Sequence, residues 1–291
     1  MNVSLARGRL ARTRIAAALS LAFAGVLSMT PSTEAATNDA GSSMDGARLE
    51  SARRHYALRI AQRAERSHDR SPWRERPHAP PQLSGNVLPV TNCADDGTDG
   101  TLRSVIAGAG EGDTIDLSAL TCSTITLTQG PIDLSVLGEH HINDLAIIGP
   151  GADALTIDGN NDRVLTHGDF QIGLGTLAIR DLTIANGDYP HGLASCIDSS
   201  GVVDLLRTVV TGCTASNGGP LTFGGAVSAA YLNMTSSTIR DSSSAATGDN
   251  VAIGGGAYVS GDATLLDSTI SGNVTIAESP GDGTYYLTAG G

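Results

Sequence analysis

The charged residues that could carry out acid–base chemistry form a few short groups in the second half of the chain. They are His167-Gly168-Asp169, Arg180-Asp181, Asp204 with Arg207, Arg240-Asp241, and Asp267. Two carboxylates that flank one glycosidic bond can act as general acid and general base, and an arginine can serve as the base of a lyase. These residues do not follow a common spacing, so they need not meet in one groove. Solvated turns are the preferred interpretation, and we expect no catalytic residue among them.

Two other groups suggest metal binding, and neither is complete. Adjacent residues on a strand point to opposite faces, so His140-His141 would offer one ligand, and no third ligand is evident. Asp95 and Asp99 resemble the start of a calcium loop. However, Gly97 takes a middle ligand position, and Ile106 stands where the bidentate glutamate belongs. We expect turn and helix-capping roles here, with no metal and no cofactor.

The chain has four cysteines, which are Cys93, Cys122, Cys196 and Cys213. Four cysteines allow three pairings. Pairing in sequence order is preferred, because the first two flank a predicted N-terminal helix and the last two fall within one repeat. Disulfides are typical of exported proteins.

Charge is distributed unevenly along the 291 residues, which contain no lysine and carry a net charge of −12. From Asn86 onward there are 23 acidic residues and five arginines, whereas the preceding part is rich in arginine. Phosphate binding needs clustered cations. An acidic body therefore argues against nucleic acid as the main partner.

The N-terminus has the features of a secretory signal peptide over residues 1–35. Four arginines precede an apolar segment from Ile15 to Met29, and Thr33-Glu34-Ala35 supplies small residues at a cleavage site. Residues 36–85 then read as a basic, proline-containing flexible linker, with binding to anionic lipid as the alternative. No later stretch is apolar enough to span a membrane. The expected location is secreted, periplasmic or on the outer-membrane surface.

The body, residues 86–291, begins with a short helical pattern and continues as short strands. Leu102, Val105 and Ile106 are spaced for one helix face, with Asp99 or Thr101 as candidate N-cap residues and glycines to end the helix. Such a helix can cover the open end of a stacked sheet. The β-branched runs that follow alternate with glycine and asparagine turns, and no helix long enough for a βαβ unit separates them.

A repeat identifies the architecture. Gly224-Gly225-Ala226-Val227 leads to Ser237-Thr238-Ile239, and 31 residues later Gly255-Gly256-Ala257-Tyr258 leads to Ser268-Thr269-Ile270. Ser195-Cys196-Ile197 through Val210 matches both copies with one extra residue. A fixed period of this size is typical of stacked coils and not of a β-sandwich. We therefore predict an all-β, parallel β-helix solenoid with six or seven coils and a short N-terminal capping helix.

The repeat residues resemble the GGAI and FxxN motifs of polymorphic outer-membrane proteins and, more broadly, autotransporter passenger-like right-handed parallel β-helices of bacterial surfaces. Ile270 replaces the motif's phenylalanine and Asn273 keeps its asparagine, while Ser242 and Cys213 take the asparagine's place in the other copies. Thr101-Leu102-Arg103 with Ile106 is similar to the SLRxAI-like opening found before such β-helices.

This resemblance implies an exported or surface-displayed β-helix that acts as a non-catalytic binding or structural module, such as an adhesin for surface glycans or a neighbouring cell. The alternative is a polysaccharide lyase or glycoside hydrolase, because pectate lyases and polygalacturonases share the fold. The residues expected to matter are structural: the four cysteines, Gly224, Gly225, Gly255, Gly256 and Asn273. Ala289-Gly290-Gly291 resembles the start of another coil, which suggests a following domain or a stacking partner.

Overall fold

The computed structural model of this protein describes residues 84–135, 142–168, 175–216, 221–247, 251–278 and 285–287. These residues form an all-β parallel solenoid of about six coils with one short helix near its start, which confirms the predicted fold class. The predicted signal peptide, nearly all of the predicted linker, His140-His141 and the final Ala289-Gly290-Gly291 lie outside the described residues. Within the described part, no helix has the length and hydropathy needed to cross a lipid bilayer.

Each coil passes through the same sheets in the same order, and corresponding strands stack in parallel register. Sheet I contains β1 (Val87–Pro89), β2 (Asp113–Asp116), β5 (Leu145–Ile148), β8 (Thr176–Arg180), β12 (Val202–Leu206), β17 (Tyr231–Thr235) and β22 (Ala263–Leu266). Sheet II contains β3 (Thr124–Thr126), β6 (Thr156–Asp158), β9 (Thr183–Ala185), β13 (Val209–Thr211), β18 (Thr238–Arg240) and β23 (Thr269–Ser271). Sheet III contains β4 (Ile132–Ser135), β7 (Leu165–Gly168), β11 (Ile197–Ser199), β16 (Val227–Ala229) and β21 (Ala257–Val259).

Two further sheets lie between sheets II and III in the later coils. Sheet IV contains β10 (Asp188–Tyr189), β14 (Thr214–Ala215), β19 (Ser243–Thr247), β24 (Val274–Glu278) and β25 (Tyr285–Leu287). Sheet V contains β15 (Leu221–Phe223) and β20 (Val251–Ile253). The last strand of sheet IV, β25, pairs antiparallel with β24, so the chain reverses there and does not begin another parallel coil within the described part.

The core consists of columns of aliphatic side chains, and each coil contributes one residue to a column. In sheet II the register places Ile125, Ile157, Ile184, Val210, Ile239 and Ile270 in one column. The first five are fully buried, and Ile270 in the last coil is partly exposed. Each fully buried aliphatic side chain contributes about 1.5–3 kcal/mol. Because a coil packs chiefly against the coils before and after it, the apolar residue must recur at every turn.

The predicted capping helix is α1 (Leu102–Ala107), which begins at the N-cap Thr101 and ends at Gly108. Its buried residues, Leu102 and Ile106, join the core of the first coil. The Thr101 side chain accepts a hydrogen bond from the Ser104 amide, as an N-cap residue does. The sequence left Asp99 and Thr101 open as caps, and Thr101 has this role.

An ion pair between Arg103 and the buried Asp95 joins the helix to the first coil. Arg103 donates from Nε and Nη2 to the two carboxylate oxygens of Asp95, at 2.8 and 3.0 Å. The same carboxylate accepts the amides of Thr128 and Gln129, and its side chain is fully buried. The guanidinium also donates to the carbonyl of Gly130. Asp95 thus organises the loop, the helix and the first coil together.

The disulfides are Cys93–Cys122 and Cys196–Cys213, which confirms pairing in sequence order. The first joins the loop before α1 to the segment before β3. The second is fully buried and crosses the interior, from the start of sheet III to the corner after sheet II. A disulfide of this kind contributes about 2–4 kcal/mol.

Inward polar side chains stack at the corner after sheet II. Cys213, Ser242 and Asn273 occupy equivalent positions in successive coils, which agrees with the sequence alignment. The Cys213 amide donates to the Ser242 hydroxyl, and the Ser242 amide donates to Asn273 Oδ1. Asn273 Nδ2 donates to the Ile239 carbonyl. The Ser242 and Asn273 side chains therefore form hydrogen bonds with backbone groups of the preceding coil. Buried backbone N–H and C=O groups need such partners.

A second set of hydroxyls does the same at the corner before sheet II. Its members are Thr208, Ser237 and Ser268. The Ser237 hydroxyl accepts from the Thr208 amide, and the Ser268 hydroxyl accepts from the Ser237 amide. This explains the recurrent serine of the Ser-Thr-Ile runs.

The double-glycine repeat is one residue out of register with its sequence alignment. Val227 pairs with Ala257, and not with Tyr258 as the motifs suggest. The left-handed glycines are consequently Gly224 and Gly254, with φ of 64° and 73°. Gly225, Gly255 and Gly256 do not have a left-handed backbone, but they lie in the bends that precede β16 and β21. A Cβ on any of them would collide with neighbouring atoms.

The register also defines three cross-interior pairs, namely Cys196–Cys213, Ala226–Ser242 and Gly256–Asn273. A Cβ on Gly256 would lie 2.7 Å from the Asn273 amide nitrogen. Where the larger asparagine stands, the facing residue is therefore glycine, and where serine stands, the facing residue is alanine. Size is balanced across the interior within each coil.

This balance gives a first prediction. Gly256→Ala lowers the free energy of unfolding by about 1–3 kcal/mol, because the added methyl group has no space beside Asn273. Combining it with Asn273→Ser, which reproduces the Ala226–Ser242 pair of the preceding coil, recovers part of that loss. Urea denaturation of the two single variants and the double variant measures the coupling. Simple additivity of the two effects would contradict the size balance.

Candidate functional site

Of the acid–base candidates from the sequence, Asp181, Arg207, Asp241 and Asp267 lie on turns, whereas His167, Arg180, Asp204 and Arg240 lie on strands of three different sheets. Asp181, Arg207 and Asp267 take equivalent left-handed positions before sheet II, whereas Asp241 follows that sheet. Arg207 binds both oxygens of Asp181, at 2.5 and 2.6 Å, and Arg240 binds its neighbour Asp241 at 2.6 Å. These are exposed ion pairs. Asp204 lies on β12 in sheet I, away from those turns.

The carboxylates of the Asp95–Asp99 loop include one in an ion pair and one in a local turn. Asp95 is committed to Arg103 and to two backbone amides. Asp96 accepts from the Thr98 amide and hydroxyl, and these hydrogen bonds lower the pKa of Asp96. Among the described residues no group of three or more potential metal-ligating side chains comes together.

His167 is a structural residue of the solenoid wall. It is 2% exposed, with Nδ1 2.8 Å from the Ser199 hydroxyl and Nε2 2.7 Å from the Asn143 carbonyl. Ser199 is also buried and accepts the Gly201 amide. This histidine–serine contact has no surface from which a substrate could reach it, so the histidine bridges two coils. Asp169 of the predicted cluster lies outside the described residues.

A polar column runs along the outer face of sheet III. The parallel register places Asp133, Thr166, Asp198, Ser228 and Tyr258 at the same position in five successive strands. Neighbouring strands lie about 4.8 Å apart, so the column spans about 19 Å. A repeating surface of this kind matches an extended ligand better than a small molecule.

Arg163 lies beside this column, on the turn that leads into β7. Its side chain is 7% exposed, and Nη1 lies 3.2 Å from Asp198 Oδ2 and 3.3 Å from Thr166 Oγ1. The guanidinium carbon stacks 3.6 Å above the centroid of the Tyr189 ring, a cation–π contact. Nε and Nη2 are buried and have no hydrogen-bond partner among the described residues.

Asp198 is the ionisable group of this column with a perturbed pKa. Burial raises the pKa of Asp198, the Arg163 charge and a hydrogen bond with Ser228 oppose the shift, and the Asp133 carboxylate adds to it. Burial disfavours the charged carboxylate, whereas the neighbouring Arg163 guanidinium favours it.

Aromatic side chains flank the same column. Tyr189 contacts His191 edge to face at 5.0 Å, and Phe223 contacts Tyr258 at 4.7 Å. His191 is exposed and the other three are half-buried. These four rings lie on one side of the solenoid.

A second polar feature lies at the corner after sheet II. It is an open cleft of about 300 Å³ lined by Asp158, Asn160, Asn161, Asn186, Gly187, Asp188, Gly212 and Thr214. Asp158 accepts the Asn160 amide with one oxygen and Asn186 Nδ2 with the other. The carboxylate is thus used within the turn, and the outer face of sheet III is the stronger candidate.

Sequence reasoning identified no residue of this face. Arg163 precedes the last strand of one coil, Tyr189 and Asp198 belong to the next coil, and only the stacking brings them together. One signal was present: Ile132-Asp133-Leu134 and Ile197-Asp198-Ser199 both place an aspartate between inward residues. Because the strands of sheet III are only three or four residues long, that signal is weak.

Asp198 and Asp113 give a second prediction, on pH. The folded-state pKa of Asp198 is raised, so its contribution to stability is complete below the ordinary aspartate pKa and is lost as the pH rises above it. The amides of Gly110 and Asn86 lower the pKa of Asp113, so its contribution is present at neutral pH and is lost on acidification. We expect Tm differences from Asp198→Asn and Asp113→Asn with opposite pH slopes. Parallel slopes between pH 3 and 7 would contradict this.

Comparisons of the chain with protein-family models, with curated proteins and with solved structures gave no match. The parallel solenoid is established by the structure itself. The likeness to bacterial surface proteins consequently rests on the repeat motifs alone.

Proposed function

We propose that this protein is an exported or surface-displayed β-solenoid that binds glycans without transforming them, as an adhesin does. The observation that carries the proposal is the outer face of sheet III, where the polar column is flanked by Tyr189, His191 and Phe223. Polar groups that hydrogen-bond hydroxyls, next to aromatic rings that stack on apolar faces, are suited to sugar recognition. A flat solenoid wall also offers an extended surface.

Export is supported by two features. Residues 1–35 have the pattern of a signal peptide, and the paired cysteines suit an oxidising compartment. The acidic body gives no support to nucleic acid as a partner. A periplasmic, secreted or outer-membrane surface location is therefore part of the proposal.

The test is binding to a panel of immobilised glycans, with Tyr258→Ala as the variant on the sheet III face and Tyr231→Ala on sheet I as its matched control. We expect binding of at least one glycan class, a loss of about tenfold with the first variant and no loss with the control. Equal effects of both variants, or no binding to any glycan, would refute the proposed surface.

A second candidate function is glycoside hydrolysis, and Asp198 is the observation in its favour. A carboxyl group with a raised pKa can act as a general acid, and the carboxylate of Asp133 lies two strands away. Two strand spacings amount to about 9.6 Å, close to the separation used by inverting glycosidases. New reducing ends that Asp198→Asn abolishes would establish this function in place of simple binding.

A further inference from the structure

The guanidinium group of Arg163 has an unused edge. Of its five N–H donors, those of Nη1 face Asp198 and Thr166. Nε and Nη2, which form the edge that grips planar oxyanions in two parallel hydrogen bonds, bind no described residue.

Two other arginines of this chain show what that edge does when it has a partner. Arg103 directs Nε and Nη2 to the two oxygens of Asp95, and Arg207 directs the same two atoms to Asp181. In both cases the partner is a carboxylate. Arg163 differs because its carboxylate neighbour, Asp198, lies against Nη1 alone.

The burial of the Arg163 side chain makes its two unpaired donors unusual. An exposed arginine would leave the same edge to solvent, but the Arg163 side chain is 93% buried, being 7% exposed. Charged donors buried without an acceptor are costly, and such groups are retained where they have a function. The Tyr189 ring holds the guanidinium plane in place, so the edge has a fixed direction.

We propose that Nε and Nη2 of Arg163 bind the carboxylate of an acidic sugar residue in the glycan ligand. This inference rests on the proposed glycan-binding function and names the chemical group that the site recognises. The half-buried Tyr189 and the exposed His191 would pack against the sugar ring, and Thr166 would supply a hydroxyl beside it.

Nε and Nη2 are buried, so a carboxylate can reach them only after a local movement. Tyr189 belongs to β10, which pairs with β14 over two residues only, and the following Pro190 and His191 are exposed. Backbone hydrogen bonds of Asp188, Tyr189 and Gly192 anchor both ends of this segment, so local opening is confined to the exposed Pro190 and His191. Ligand entry can therefore occur without unfolding a coil.

The experiment compares the binding of trigalacturonic acid and of its fully methyl-esterified form by isothermal titration calorimetry. We expect the wild-type protein to bind the acid at least about tenfold more tightly than the ester. Arg163→Lys keeps the charge but lacks the planar pair of donors, so it should remove that preference. Arg207→Lys, at an exposed ion pair, is the matched control and should retain it.

Equal affinities for acid and ester in the wild-type protein, or an unchanged preference in Arg163→Lys, would overturn the inference. If Arg163→Lys does not fold, the Nε–H resonance of Arg163 in the wild-type protein decides: it should shift with the acid and not with the ester. Binding of other glycans at the sheet III face without any carboxylate preference would leave the proposed function standing and refute this inference. Failure to bind any glycan would refute both.

Discussion

Asp95→Ala is expected to lower the free energy of unfolding by about 3–5 kcal/mol, the usual cost of removing one partner of a buried ion pair. The carboxylate is fully buried and accepts hydrogen bonds from Arg103 and from the amides of Thr128 and Gln129. Its loss removes the acceptor of Arg103 Nε and of the amides of Thr128 and Gln129, while Arg103 Nη2 keeps the Gly130 carbonyl. It also releases α1 from the first coil, where β1 and β2 begin the stack.

Urea denaturation monitored by circular dichroism measures the loss, and hydrogen exchange in α1 locates it. Asp181→Asn is the matched control, because Asp181 forms the same two-pronged contact with Arg207 at the surface. Exposed pairs contribute about 0–1 kcal/mol, and asparagine tolerates the left-handed backbone of Asp181. If the two variants lose similar stability, burial of the Asp95 pair is not what makes it important.

Gly225→Ala is the other substitution with a large expected effect, a loss of about 3 kcal/mol or more. A Cβ at Gly225 would overlap the carbonyl oxygen of Gly255 in the next coil and lie 2.6 Å from the carbonyl carbon of Ser243. Both obstacles are backbone atoms held by the stack, so neither can move without breaking strand pairing.

Gly108→Ala is the control for this substitution. Gly108 follows α1 with a right-handed backbone, and the nearest atoms to an added Cβ are 3.7 Å away. The control should be neutral or slightly stabilising, because alanine restricts the unfolded chain. Thermal denaturation of both variants is sufficient. A mild effect of Gly225→Ala would show that the coils can separate locally at little cost.

The sequence predicted the architecture because equivalent positions of successive coils carry the same types of residue. The recurrent Ser-Thr-Ile runs indicated a strand, an inward hydroxyl and a buried isoleucine, and sheet II contains all three. The helix at Leu102–Ala107 and the cysteine pairing follow from equally local patterns. Because the same packing requirement recurs in every coil, a single sequence shows the corresponding residue pattern several times.

The sequence was less informative where coils differ in length. Paired sheet I residues show coils of 32, 26, 29 and 31 residues from Leu145 through Leu177, Val203 and Leu232 to Ala263. The motif copies are 31 residues apart, but around these glycines paired residues of successive coils are 29 apart in sheet IV, 30 apart in sheets V and III and 31 apart in sheet I, so the glycine alignment slipped by one residue.

The candidate site was not predictable for a related reason. Arg163 and Asp198 are 35 positions apart, and Tyr189 comes from yet another corner of the solenoid. Their proximity depends on the particular lengths of two coils, which no local pattern encodes. In addition, the partial burial of Asp198 is a property of the folded wall and has no counterpart in composition.

The Cys196–Cys213 disulfide has a mechanical consequence for a protein held at a surface. Tension applied from the C-terminal side would detach coils one after another, since each is held to its neighbour by hydrogen bonds and packing alone. When the strain reaches Cys213, the covalent bond carries the load directly to Cys196, and residues 197–212 are shielded from it. The disulfide thus removes the segment between the two cysteines from the chain length that tension can extract.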